Sequence, residues 1–261
     1  MGKLTLSLVA CLLILLFNGC TMTNEVKSNE DNNQAVTADE MQKNEDEAAA
    51  ADLPLSGRII CVDAGHGLNS YNKKEPVAPD SSRTKIAFSA GTKGKNLTEE
   101  ELNLIVALKL ESKLKEQGAT VYMTRTTHES DMTNIDRAEL ANEKNADISV
   151  RIHADGLDNS SARGISMLVP SNKHINNSDL CKKSRQAGEM ILEEVIESTG
   201  AANRGVVMRD DLTGFNWTRV PVVLLEMGFM TNPNEDAKLE TEEYQNRIVD
   251  GIVNGLLIYF Q

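Results

Sequence analysis

The sequence predicts an α/β domain built on a mostly parallel sheet with helices on both faces. Three observations carry that expectation. Apolar runs of strand length alternate with helical runs from about residue 54 to the end. The helical runs bear their own start and stop residues. The segment 54–261, about 208 residues, is long enough for one substantial core.

The elements follow in order. Arg58–Asp63 (Arg-Ile-Ile-Cys-Val-Asp) reads as a short apolar strand, and a long polar stretch runs from Gly67 to Asn96. Thr98 and Glu101 have the spacing of a capping box, in which each side chain satisfies a free backbone N–H of the other. Leu102, Val106, Leu110 and Leu114 then recur at helical steps, and Gly118 is placed to end that helix. Thr120–Thr124 reads as a strand, Asn134–Asn145 as a helix, and Asp147–Ile152 and Gly164–Val169 as strands. Ser178–Thr199 is a long helix stopped by Gly200. Val206–Met208 is a short strand and Pro221–Leu225 a buried one, and helices over Asn234–Leu239 and Glu242–Tyr259 close the chain. In such sheets the chemistry gathers beyond the carboxyl ends of the strands.

Residues 1–20 differ in kind. Lys3, an apolar run from Leu4 to Phe17 and the sequence Asn18-Gly19-Cys20 describe an export leader, too short for a comfortable membrane span. Phe17-Asn18-Gly19-Cys20 resembles a bacterial lipoprotein cleavage box, which makes Cys20 the candidate lipid anchor on the outer face of the cytoplasmic membrane. Residues 21–53 hold nine acidic residues against two Lys and no aromatic residue, and read as a disordered acidic linker. The whole chain has 27 basic and 39 acidic residues; the first 53 hold 3 and 9 of these, which leaves the domain at −6. No basic cluster points to nucleic acid. Of the four cysteines only Cys61 and Cys181 fall in the domain, too few for a disulfide framework, and both read as free thiols.

Candidate chemistry centres on two of the four histidines. His66 follows the first strand in Asp63-Ala64-Gly65-His66-Gly67, and His153 follows another in Arg151-Ile152-His153-Ala154-Asp155. If those strands are parallel neighbours, both imidazoles meet at one sheet edge. His128 and His174 sit in polar turns and read as ordinary exposed histidines. Glu99 opens the capped helix; its carboxylate suits a third metal ligand, or it merely complements the helix dipole beside Glu100 and Glu101. Glu226 closes the run Val222–Leu225, where it serves either proton transfer in a cleft or a structural contact. The segment Asp210–Arg219 holds the only tryptophan; Trp217 and Asn216 are candidate substrate contacts, and Phe215 is either a third or a core residue. The Gly67–Asn96 stretch is long enough to be a functional loop or a disordered one.

Taken together, Asp63–Gly67, Glu99–Leu104, Thr124-Arg125, Arg137-Ala138, Ile152–Asp155, Asn203-Arg204-Gly205 and Leu225–Asn232 resemble the zinc-dependent N-acetylmuramoyl-L-alanine amidases of the third amidase family, in the family's order and over the whole domain. The resemblance implies a three-layer α/β/α, phosphorylase/hydrolase-like fold with a twisted central sheet. It implies Zn²⁺ held by His66, Glu99 and His153, Glu226 as the catalytic residue, and Arg204 in a substrate-binding motif. The implied reaction is hydrolysis of the amide between N-acetylmuramic acid and L-alanine in peptidoglycan. Leu68 departs from the second glycine common in the family, and Gly67–Asn96 exceeds the usual connection. Another exported zinc peptidase or deacetylase, or a wall-binding lipoprotein with a degenerate site, are the competing readings; retention of all four site residues disfavours the last. No protein activator is named by the sequence.

Overall fold

A six-stranded sheet organises the chain in this computed structural model, whose described residues are 53–68 and 72–261. The expectations for the leader, the linker up to residue 52 and Cys20 lie outside them. The elements are β1 (Ile59–Ala64), β2 (Lys74–Pro76), β3 (Thr84–Ile86), α1 (Glu99–Glu116), β4 (Thr120–Met123), α2 (Asn134–Glu143), β5 (Ile148–Asp155), β6 (Ile165–Pro170), α3 (Asn172–Ile175), α4 (Ser178–Thr199), β7 (Asn203–Arg209), α5 (Thr213–Asn216), β8 (Val222–Phe229), α6 (Pro233–Leu239) and α7 (Glu242–Tyr259). Strand order in the sheet is β4-β1-β5-β8-β6-β7. The first four are mutually parallel, β6 runs antiparallel to β8, and β7 is parallel to β6. The predicted three-layer, mostly parallel architecture is therefore present.

The two faces of the sheet do different work because successive side chains on a strand point to opposite sides. Ile60, Val62, Ala64, Ile148, Val150, Ile152, Val223 and Leu225 face α1, α4 and α7 in the main core, which takes in Leu102, Leu110, Ile191, Ile252 and Leu256. The alternate positions, Asp63, Arg151, His153 and Glu226, lie on the other face, where only small apolar clusters form around Cys61 and Phe215. The capping box of α1 forms as its spacing requires, with Thr98 accepting from the Glu101 N–H and Glu101 accepting from the Thr98 N–H. Gly118 and Gly200 both adopt positive φ just past their helices.

Several boundaries move. The strand expected to stop at Ile152 continues to Asp155, and that expected to stop at Leu225 continues to Phe229. His153 and Glu226 therefore sit inside strands. Polar residues on the cleft face interrupt the apolar run there, which makes each strand look shorter than it is. β7 likewise starts at Asn203 rather than Val206.

The long Gly67–Asn96 stretch contains an antiparallel hairpin, β2 with β3, which no hydrophobic alternation announced. It is fastened to the domain by polar contacts. Buried Glu75 accepts from Asn134 Nδ2 at 2.7 Å and from the Ile135 N–H at 3.3 Å. Asn134 also donates to the Ala87 carbonyl. Asn216 Nδ2 donates to the Val77 carbonyl at 3.0 Å, and Trp217 Nε1 to the Pro76 carbonyl at 3.3 Å.

Candidate active site

The turn after β1 carries the first functional side chain. His66 has φ 61°, the left-handed region that a residue with a Cβ enters at a cost of about 1–2 kcal/mol. Two arginines hold it there. Arg137 donates to the His66 carbonyl at 2.6 Å and to the Ala64 carbonyl at 2.8 Å. Arg125 donates to the Ala64 and Gly65 carbonyls, both at 2.9 Å, and to the Glu100 carbonyl at 2.7 Å. Arg125 thereby joins the His66 turn to the first turn of α1. Beneath them Asp63 accepts from Arg137 Nη1 at 2.5 Å, Thr124 Oγ1 at 2.7 Å and Arg151 Nε at 2.6 Å. Burial alone would raise the Asp63 pKa, but the guanidiniums of Arg137 and Arg151 override it and hold the carboxyl far below the usual range.

Glu99 starts α1 with both oxygens engaged. Oε2 accepts from the Thr92 N–H at 2.8 Å, and Oε1 from the Ala154 N–H at 3.2 Å and Asn103 Nδ2 at 3.3 Å. Oε1 also lies 2.9 Å from His66 Nε2 and 3.1 Å from His153 Nδ1, and those two nitrogens are 3.2 Å apart. Ligands about 2.0–2.1 Å from a tetrahedral ion stand roughly 3.3 Å from one another, so the triangle has the right size. Its chemistry agrees. The Ser89 carbonyl accepts from His66 Nδ1 at 2.7 Å, so the ring's other nitrogen, Nε2, is the one turned to Glu99 and available as a ligand. Burial, opposed by Glu99, pushes the His153 imidazole down to about 4, so it is neutral near pH 7, as a ligand must be. The outer edge of that ring packs on Gly65, where a Cβ would come within 2.4 Å of it.

Glu226 stands beside this group. It is the register partner of His153 on the adjacent strand, and neighbouring strands lie roughly 4.8 Å apart. Its Oε2 is inaccessible and has no hydrogen-bond partner among the described residues. Burial, then the negative charges of Glu99 and Asp155, push its pKa well above the ordinary carboxyl value. His66, His153 and Glu226 line a cleft of about 530 Å³, with Leu168 and Leu224 on the sheet side and Lys85, Ile86 and Phe88 of the hairpin segment opposite.

A carboxylate inside a central strand, a His–Glu–His triangle and a flanking cleft together have the make-up of a hydrolytic site. The sequence profile of the N-acetylmuramoyl-L-alanine amidases matches residues 60–257. The chain belongs to this amidase family. The Bacillus subtilis (strain 168) protein YqiI is 31% identical over 212 residues, which are 81% of this chain and 89% of that one. The probable cell wall amidase LytH of Staphylococcus aureus is 28% identical over 207 residues, 79% of this chain and 60% of LytH. The crystal structure of the N-acetylmuramyl-L-alanine amidase Ami1 from Mycobacterium smegmatis has a TM-score of 0.72 at 25% identity, covering 79% of this chain and 98% of that one.

Within this peptidoglycan amidase, the three residues nominated for substrate contact lie elsewhere. Asn216 is buried and spends its amide on the Val77 and Asp210 carbonyls. Trp217 holds the hairpin through Pro76. Arg204 stacks 4.9 Å over the Phe229 ring and donates to the Arg163 carbonyl. None of the three lines the cleft; their polar groups fasten the scaffold instead. Phe215 is fully buried. His128 pairs with Glu100 at 3.1 Å and His174 with Asp80 at 3.0 Å, both outside the cleft.

The cleft cations are Lys85, Arg137, Arg151 and Arg209. Sequence reasoning passed over Lys85, Arg151 and Arg209. The signal for Arg151 was its place two residues before His153, which puts both side chains on one face. Lys85 and Arg209 had none.

The Asp63 network makes a stability prediction. Replacing Asp63 with Asn leaves two buried guanidiniums uncompensated and costs about 3–5 kcal/mol in denaturant unfolding. Because the folded pKa is depressed, the stabilisation is complete above the unfolded value of about 3.9 and is lost as the pH falls below it. Asp63→Asn should therefore flatten the acid limb of the stability profile; an unaltered acid limb would refute the assignment.

Proposed function

We propose that this amidase is an exported cell-wall enzyme that hydrolyses the N-acetylmuramoyl–L-alanine amide with one zinc ion held by His66, Glu99 and His153, and with Glu226 as the proton carrier. The observation that carries the reading is the convergence of three ligand atoms, all within 4.8 Å of one another, beside an unpartnered carboxyl in the cleft. Two imidazoles and one carboxylate would make a catalytic rather than a structural zinc set, because such sets leave a position for water. Zinc bound there supplies a water acidified toward a pKa of about 7 and polarises the carbonyl under attack.

The chain supplies the rest. Glu226 takes the proton released as water attacks the carbonyl carbon and delivers a proton to the departing amine nitrogen. Glu226 and the ligand His153 are register partners on one strand pair, so the proton acceptor is placed before substrate arrives. The Ser89 carbonyl fixes the His66 tautomer, and packing on Gly65 fixes the His153 ring. The apolar leader and Cys20 support attachment by lipid to the outer face of the cytoplasmic membrane.

Two predictions test this reading. Glu226→Gln keeps zinc affinity while turnover on purified peptidoglycan falls on the order of 10²–10⁴-fold; mass spectrometry of the digest reads the free L-alanine amino terminus, and near-normal turnover removes Glu226 from the mechanism. Cys20→Ala moves the protein from the membrane fraction to the soluble exported fraction; unchanged partitioning rejects the lipid anchor.

A further inference from the structure

The hairpin inserted after His66 sets a lysine in the lining of the cleft, and that lysine is short of anionic partners. Lys85 is the middle residue of β3 and lines the same cleft as His66, His153 and Glu226. Its ammonium offers three donors, and its hydrogen bond among the described residues goes to a neutral acceptor, the Asp211 carbonyl at 3.2 Å. The two acids whose charges reach it are engaged elsewhere. Asp211 is bound by Arg209 through both oxygens at 2.8 Å, and Glu75 accepts from Asn134 and Ile135. The other charges that bear on it, Arg151 and Arg209, are positive. Partial burial and then that repulsion push the Lys85 pKa down.

We infer that Lys85 binds a carboxylate on the peptide arm of the substrate. The inference rests on the amidase reading above, because the two arms of the scissile amide differ in charge. On the glycan arm the lactyl carboxyl is consumed in the amide, leaving hydroxyls and acetamides. The peptide arm carries free carboxylates, the nearest on the residue after L-alanine. A lysine with free donors in this cleft therefore selects the peptide arm.

The position is prepared in advance. Glu75, Asn134, Asn216 and Trp217 pin both hairpin strands or their flanks to the domain, so little ordering is left to pay for when the ligand binds. Two of the three ammonium donors remain for a carboxylate.

The test compares N-acetylmuramoyl-L-alanyl-D-glutamate γ-amide, whose α-carboxylate is free, with the α,γ-diamide as substrates of the zinc-loaded full chain. The expected result is a preference for the free acid of about tenfold or more in kcat/KM, the size of one charge-assisted hydrogen bond. Lys85→Met should bring that ratio to within about twofold of unity, with the loss carried by KM, and Lys85→Arg should restore most of it. Equal use of both substrates by the wild type, or a preference that survives Lys85→Met, overturns the inference and leaves the amidase reading intact. Cleavage of neither substrate overturns the amidase reading and the inference with it.

Discussion

A carboxylate buried between two guanidiniums, Asp63 against Arg137 and Arg151, ties together the parts on which the site depends. It joins β1 to β5 and to α2, and through Thr124 to the end of β4. Taking these charges out of water is expensive, and the geometry returns that cost only because the remaining donors are used. Arg137 spends them on the carbonyls of Ala64 and His66, the turn that must bend the wrong way for a residue with a side chain. Arg125 extends the same clamp to the first turn of α1, where Glu99 begins. The His66 and Glu99 ligands are thus placed by one connected set of buried hydrogen bonds rather than by loop packing.

The sheet divides stability from chemistry. The face toward α1, α4 and α7 is apolar and continuous, so it holds the strands in register without polar help. That leaves the opposite face of β1, β5 and β8 free to carry Asp63, Arg151, His153 and Glu226 at alternate positions. Strand register then does what loops do in many enzymes: it sets His153 and Glu226 side by side with no adjustable torsion in the backbone between them. The hairpin closes the cleft from the far side, and its fastening by Asn134, Asn216 and Trp217 makes it a wall rather than a flap.

Much of this was legible in the sequence. Helix ends were read well because Thr98, Gly118 and Gly200 act locally through caps and positive φ. The pairing of His66 with His153 followed from equivalent positions after apolar runs, whereas the capped turn left the role of Glu99 open and only the family resemblance made it a ligand. What escaped detection depended on tertiary placement. The hairpin has three-residue strands whose bonds go to side chains of α2 and α5, so no periodicity marks it. Trp217 and Asn216 drew attention as polar or aromatic residues in a loop, yet their partners are hairpin carbonyls that no local pattern reveals. Arg204 came from the resemblance motif Asn203-Arg204-Gly205, while Arg209, at the other end of the same strand, lines the cleft.

The central claim is that His66, Glu99 and His153 jointly hold one ion with a vacant corner. X-ray absorption at the zinc edge of the metal-loaded full chain tests it most directly. The account predicts one ion per chain with two imidazole nitrogens and light oxygen donors at about 2.0–2.1 Å, and loss of one imidazole contribution in His153→Ala. A sulfur shell near 2.3 Å, or a spectrum unmoved by that substitution, would contradict it.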